Sequence, residues 1–198
     1  MYQTTQFLED LQSQTEALLQ QAISEWQMLP PAVLAKQPAP GQWSAAQCLE
    51  HLNHYSRYYL PAIEKAIAAG NGKRSSATFS AGWLGAYFTK LMLPQANGSL
   101  KSKMQAPKNA VPSQAPDPLA VLAEFIDHQE TLLKLLDQAA TVNIGRLRVP
   151  ISIAPWIRLK LGDTFAFLIA HQQRHVVQMT RAIEAARNAL PAANLPTF

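Results

Sequence analysis

Two histidines four residues apart, His171 and His175, stand inside the apolar run from Phe165 to Ile183. On an α-helix that spacing puts both imidazoles on one face. At 100° per residue the apolar stripe of this helix is Phe165, Leu168, Met179 and Ile183, with His175 near its centre and His171 slightly to one side. Both rings are therefore aimed into a protein interior, where an imidazole without a partner is costly. A divalent metal is the most economical partner, because neutral imidazole is its commonest nitrogen ligand. The alternative is that each ring donates to a buried side chain or carbonyl. Two ligands do not complete a metal site, so the rest of the chain must supply a third.

Periodicity sorts the remaining histidines. The helix predicted from Ser44 to about Ala69 has the stripe Ala45, Leu49, Leu52, Tyr59 and Ile63, with Cys48 and Tyr55 on one shoulder. His51 lies about 100° from the stripe centre, on that shoulder, and can reach a site between helices. His54 lies about 160° away and faces water. His128, about 200° from Ile126 on its own helix, is also expected in solvent. His51 is thus the predicted third ligand. Cys48, one turn earlier, could approach the same ion, but a fourth ligand would close the site, and a buried inert cysteine is the preferred reading.

Four long helices must position these groups. The first runs from about Thr4 to Met28 on Phe7, Leu8, Leu11, Leu18, Leu19, Ala22 and Trp26, and Leu29-Pro30-Pro31 stops it. Pro38, Pro40 and Gly41 keep the following segment non-helical. Ser44 and Gln47 form a capping box for the second helix, with Trp43 before the cap as a packing anchor. The third follows Pro118, with Leu119, Leu122, Ile126 and Leu133 on one face, and ends near Gln138. Thr141 to Trp156 alternates Leu147, Val149, Ile151 and Ile153, a pattern that suits a short extended strand, but Pro150 and Pro155 argue for a loop pressed on the helices. Asp163 is expected to cap the last helix, which ends near Asn188 before a proline-bearing tail.

Between the second and third helices lies an insertion, residues 70–117. Asn71-Gly72 opens a turn, and the stretch to Ser80 reads as flexible loop. Gly82 to Leu93 is an aromatic, apolar run of about three helical turns, too short to span a bilayer, that packs across the helices or lids a pocket. Partial core burial is expected of Trp83, Tyr87 and Phe88. Gln95 to Asp117 reads as loop. No carboxylate occurs between Glu64 and Asp117, whereas Lys73, Arg74, Lys90, Lys101, Lys103 and Lys108 do. A solvated lysine-bearing loop is the simpler reading of that asymmetry, a cationic rim for an anionic ligand the functional one.

The 198 residues, 48% hydrophobic with a mean hydropathy of -0.07, suit one domain over 1–198 with a sizeable core. One cysteine excludes an intrachain disulfide and fits a reducing cytoplasm, and no signal peptide is visible. A net charge of +4 permits anionic partners without naming one. Zinc-finger spacing, arginine-rich arms and nucleic-acid reading motifs are missing, and no stable membrane association is expected.

Trp43-Ser44 leading into Leu49-Glu50-His51-Leu52, with His171-Gln-Gln-Arg174-His175 and Gln178 far downstream, resembles the DinB-like (DinB/YfiT) superfamily over nearly the whole chain. That resemblance implies an all-α fold, a four-helix bundle in up-down-down-up order, and a metal, often nickel or zinc, on the positions of His51, His171 and His175. It also implies frequent homodimers and, in characterised relatives, transfer or isomerisation chemistry with a low-molecular-weight thiol. It is silent on the insertion. Three histidines leave open positions on an ion, the pattern of catalytic rather than closed sites. Gln178, one turn past His175, could position a ligand. Arg174, about 120° from the stripe centre and nearer the surface, could hold a carboxylate of a thiol cofactor or pair with a neighbouring helix, the latter preferred. Two functional classes compete: a metal-dependent enzyme activating a thiol or water against a small electrophile, and a non-catalytic metal- or small-molecule-binding bundle.

Overall fold

Leucines at helical spacing build the first long element, and a computed structural model describes it with the rest of residues 1–70, 75–95, 97–100 and 104–189. The turn expected at Asn71-Gly72, the cations Lys73, Arg74, Lys101 and Lys103, and the tail containing Pro191 and Pro196 lie outside those residues. A two-residue strand β1 (Tyr2–Gln3) leads into α1 (Thr4–Gln21), which buries Leu8, Leu11 and Leu18. A π-helical turn, Ala22–Trp26, carries the apolar stripe onward and buries Ala22 and Trp26. The stop at Leu29-Pro30 holds, but the next segment is not wholly non-helical. Pro31 opens a short helix, α2 (Pro31–Ala35), at the position where its missing N–H costs nothing, and Val33 and Leu34 are fully buried.

The second long helix, α3 (Ala45–Gly70), starts at the predicted capping box. Gln47 N–H donates to Ser44 Oγ at 3.2 Å, and Ser44 N–H donates to Gln47 Oε1 at 3.0 Å. After a strand β2 (Thr78–Phe79) paired antiparallel with β1, the insertion forms α4 (Trp83–Met92). The third long helix, α5 (Pro118–Ala139), is capped by Asp117, whose carboxylate accepts from Leu119 N–H at 2.9 Å and Ala120 N–H at 3.3 Å. The fourth is α6 (Leu161–Ala189). The fold is mostly helical, α3 packing on α5 and α6, and α1 on the same two.

Between α5 and α6 the expected loop is an antiparallel hairpin, β3 (Arg148–Ile151) and β4 (Ala154–Lys160), with Val149 opposite Leu159. The alternation at 147, 149 and 151 was the better guide. A two-stranded ribbon has edges that tolerate a proline's missing donor, and Pro150 sits where the pairing is irregular.

Two apolar clusters form the core between the long helices, and a smaller one, Ile151, Ala154 and Leu159, lies under the hairpin. One gathers Tyr59 and Ile63 of α3, Leu132 and Leu136 of α5 and Phe165 and Leu168 of α6. The other gathers Leu49 and Leu52 of α3, Leu122 and Phe125 of α5 and Met179 and Ile183 of α6. Along each helix, buried polar residues fall between the two: Asn53 and Ser56, Gln129, and His171, Gln172, Arg174 and His175.

Asp163 does not cap α6; it lies in that helix's first turn, buried, and takes the Gly82 N–H at 2.9 and 3.2 Å on its two oxygens. It therefore fixes the start of α4. A Cβ on Gly85 would stand 2.4 Å from Asp163 Cγ, so only glycine lets the helices approach this closely. Phe88 then packs on Phe167, ring centres 6.2 Å apart. The expected burial of the insertion's aromatics holds for Phe88 alone, since Trp83 is 83% and Tyr87 58% exposed. The aromatic that enters the core is Phe79, from the stretch read as flexible loop. Among the described residues no helix is long and apolar enough to cross a membrane.

Phe79→Ala should cost about 3–5 kcal/mol of stability, as truncation of a core aromatic does. Trp83→Ala should stay within about 0.5 kcal/mol, the usual value for an exposed site. Urea denaturation of both variants measures this, and equal losses would contradict the assignment.

Candidate metal centre

The i, i+4 spacing on α6 aims His171 and His175 at the flank of α3, and the capping box sets the register of α3 so that His51 meets them. All three rings are buried, at 4%, 6% and 3% exposure respectively. His51 Nε2 lies 3.3 Å from His171 Nε2, and His175 Nε2 lies 3.1 Å from the same atom. With metal–nitrogen bonds of about 2.0–2.1 Å at tetrahedral angles, ligand nitrogens stand roughly 3.3 Å apart. The histidines bring one ligand atom each to within 4.8 Å of the others, a group that could hold a metal ion.

The donor set fits such an ion. His51 Nδ1 lies 2.7 Å from the Ala110 carbonyl oxygen, which can only accept. The proton is therefore on Nδ1, and the Nε2 lone pair faces His171. One proton on His171 Nε2 cannot satisfy two neighbouring nitrogens at once, so without a cation at least one of the two close nitrogen pairs sets lone pair against lone pair or N–H against N–H. Burial, and secondarily the adjacent rings, hold the His171 and His175 pKa values well below the ordinary 6.5, which keeps both in the neutral, metal-competent form. His51 is lowered too, chiefly by burial, with the Ala110 hydrogen bond opposing. The Nδ1 atoms of His171 and His175 are buried with no hydrogen-bond partner among the described residues, the Gln178 side chain opposes the downward shift of His175, and a backbone carbonyl supports His51.

The cluster opens on a cavity of about 860 Å³. Trp43, Tyr55 and Gln178 line it, and Met92, Met104 and Val111 from the insertion wall its other side. The insertion thus both packs on α6 and covers the cavity. Trp43 stacks on His175 with ring centres 6.0 Å apart, and Tyr55 lies 4.6 Å from His171. Burial pushes the Tyr55 phenol up to about 12. Arg174 is not near the surface as its helical angle suggested; it is 3% exposed and lines the cavity. The insertion residues around the cavity cover a flank that a bare four-helix count leaves open.

Cys48 is fully buried, its thiol raised to about 12 by desolvation, and it stands outside the histidine group, 3.9 Å from Gln178 Oε1. His54 is half-buried rather than in water, its ring 5.8 Å from that of Tyr55. His128 is also not in solvent: the close packing of α3 on α5 brings its Nδ1 to 3.1 Å from Asn53 Oδ1. Neither joins the cluster. Periodicity missed three contributors. Trp43 and Tyr55 were legible only as packing residues, and nothing in the sequence marks the Ala110 carbonyl.

A family model, that of the DinB superfamily, matches residues 7–179. No curated protein and no solved structure matches the chain.

The depressed histidines fix a pH dependence. Each favours the neutral form in the fold, so its contribution is fully present above the unfolded pKa of about 6.5 and lost as pH falls towards the lower folded value. Metal-free protein should therefore lose stability between pH 6.5 and 5 at up to roughly 1.4 kcal/mol per pH unit for each histidine. His171→Asn should flatten that slope. Thermal melts across the range measure it, and a wild-type profile flat from pH 6.5 to 5 would contradict the burial argument.

Proposed function

The chain belongs to the DinB superfamily, and from that premise we propose that His51, His171 and His175 hold a divalent metal ion, zinc or nickel, beside an open cavity that receives a small-molecule ligand. The observation that carries the reading is the 3.1–3.3 Å spacing of buried Nε2 atoms facing that cavity. In this reading the long helices form an up-down-down-up four-helix bundle. Its support is the order of the two apolar clusters, which runs one way along α1 and α6 and the opposite way along α3 and α5.

A divalent ion held by His51, His171 and His175 would supply a nucleophile at neutral pH by lowering the pKa of a thiol or water, suited to attack on a small electrophile. The protein's own groups orient and exclude. The Ala110 carbonyl fixes the tautomer and ring angle of His51. Trp43, flat against His175, limits where a ligand can sit. Tyr55 keeps its phenolic proton at neutral pH and offers a donor to a ligand oxygen or sulfur. Gln178, one turn beyond His175, and Arg174 are the side chains for the ligand's polar end.

Metal that binds only the folded chain raises its stability by about 4 kcal/mol at a thousandfold excess over the dissociation constant. His51→Ala, His171→Ala and His175→Ala should each lose most of that metal-dependent rise in Tm. His54→Ala and His128→Ala should retain it, although His128→Ala also loses its bond to Asn53. Full retention in His51→Ala would sink the three-histidine site. Metal-loaded protein should also accelerate conjugation of a low-molecular-weight thiol to a halogenated or epoxide electrophile, measured across a panel with and without metal. Rates equal to the uncatalysed ones throughout would favour a non-catalytic binding bundle.

A further inference from the structure

One side of the molecule carries cations and exposed rings together. Between Glu64 and Asp117, and again between Asp137 and Asp163, the chain has no carboxylate. The first stretch supplies α4 and the second the β3–β4 hairpin. Lys90 lies on α4, and Arg146, Arg148, Arg158 and Lys160 lie on or beside the hairpin. Those five exceed the net charge of +4 for the whole chain, so the positive excess is concentrated rather than spread. Among the described residues none of the five enters an ion pair, and Asp163, on which Lys160 and Arg148 act, is itself buried.

Helix and hairpin share one inner side. Leu84 and Phe88 of α4 meet Ile151 of β3 and Ile157 and Leu159 of β4 in the small apolar cluster. The opposite faces therefore look outward together. On α4 the outer stripe is Trp83, Tyr87 and Lys90, at helical spacing. On β4 it is Trp156, Arg158 and Lys160, alternating with Ile157 and Leu159, and Arg148 stands across from Lys160. Lys160 Nζ donates to the Ser80 carbonyl at 2.7 Å, three residues before Trp83, and so joins the two stripes into one surface. Trp156 is 81% exposed, and Ile153, at the turn of the hairpin, 60%. Large apolar side chains exposed in one patch mark an interaction site rather than ordinary surface.

We propose that this face docks reversibly on an anionic lipid surface, with its indole and phenol rings at headgroup level and its cations over the lipid phosphates. Trp and Tyr suit that layer because one end of each ring is apolar and the other hydrogen-bonds. Lys and Arg beside them gain from the negative potential of the leaflet, about fivefold in affinity for each one near the surface. A second copy fits worse, because a two-fold contact would set this cationic patch against itself. Nucleic acid also fits worse, since the aliphatic Ile153 gains by entering acyl chains and offers no ring for a base to stack on. The attachment is interfacial, α4 having only 10 residues. No bound metal is required, because every group on this face lies outside the histidine triad.

Co-sedimentation of the full chain with lipid vesicles tests this, comparing phosphatidylcholine alone with phosphatidylcholine and phosphatidylglycerol in equal amounts. The mixed vesicles should bind roughly tenfold more tightly or better. Salt at about 1 M, where the Debye length is roughly 3 Å, should reverse most of that gain. Lys90→Gln and Arg158→Gln should each weaken binding about fivefold. Trp83→Ala combined with Trp156→Ala should weaken it roughly tenfold or more, and Lys134→Gln on α5 should leave it unchanged. All these positions are exposed, so each variant should keep the wild-type Tm. Tryptophan emission should shift to the blue on mixed vesicles, and the shift should vanish in the double variant. Equal binding to both vesicles, binding to neither, or cation and tryptophan variants that bind like wild type would overturn the proposal. So would self-association without lipid that the tryptophan pair abolishes, or capture of a single-stranded oligonucleotide in place of vesicles.

Discussion

Desolvation of three imidazoles at one point is the constraint around which the rest of the molecule is arranged. His51, His171 and His175 contribute polar nitrogens to an interior built mainly of apolar clusters, and burial, seconded by neighbouring histidines, drives all three towards neutrality. Neutral rings crowded to about hydrogen-bond distance cannot all be satisfied by one another. The apolar clusters on either side supply the helix packing that holds the rings in place against that cost. The polar belt they leave between them, with Asn53, Ser56 and Gln129 in it, is where the cavity could open without splitting a continuous core.

The insertion belongs to this arrangement as much as the long helices do. One of its carbonyls, that of Ala110, sets the His51 tautomer, and one of its rings, Phe79, fills core space beside Gly162. Asp163 and the two glycines facing it fix where α4 begins, so that Met92 at its far end reaches the cavity wall. Burial raises the Asp163 carboxyl above its usual range while the Gly82 N–H opposes that shift. Ser113 adds a further tie, donating through its N–H and hydroxyl to Glu50 on α3.

What could be read in advance follows from which interactions are local. Helical spacing and the Ser44-Gln47 box are short-range, so the long helices and the inward faces of His51, His171 and His175 were legible in the chain itself. The helix-forming Pro31, the hairpin around Pro150 and the role of Asp163 were not, because each depends on what packs opposite. Asp163 is at a plausible cap position by sequence, yet its partner is Gly82, 81 residues earlier. Arg174 was misplaced for the same reason: an angle on an isolated helix cannot register the insertion residues that close over that flank. His54 and His128 were rightly separated from the cluster but wrongly given to water, since close packing of α3 on α5 buries polar side chains at its margin.

The sequence separations within the triad set an order of assembly. His51 joins a carbonyl 59 residues away and a ring 120 residues away, whereas the His171–His175 contact spans a single helical turn. Non-local contacts form only after the entropy of closing the intervening loops has been overcome. The α6 pair is present as soon as that helix winds, but the third ring arrives only when α3 docks and the insertion has laid Ala110 across it. Loop-closure entropy therefore sets the complete centre late in folding, and a cation bound there would act as a latch on a finished structure rather than as its nucleus.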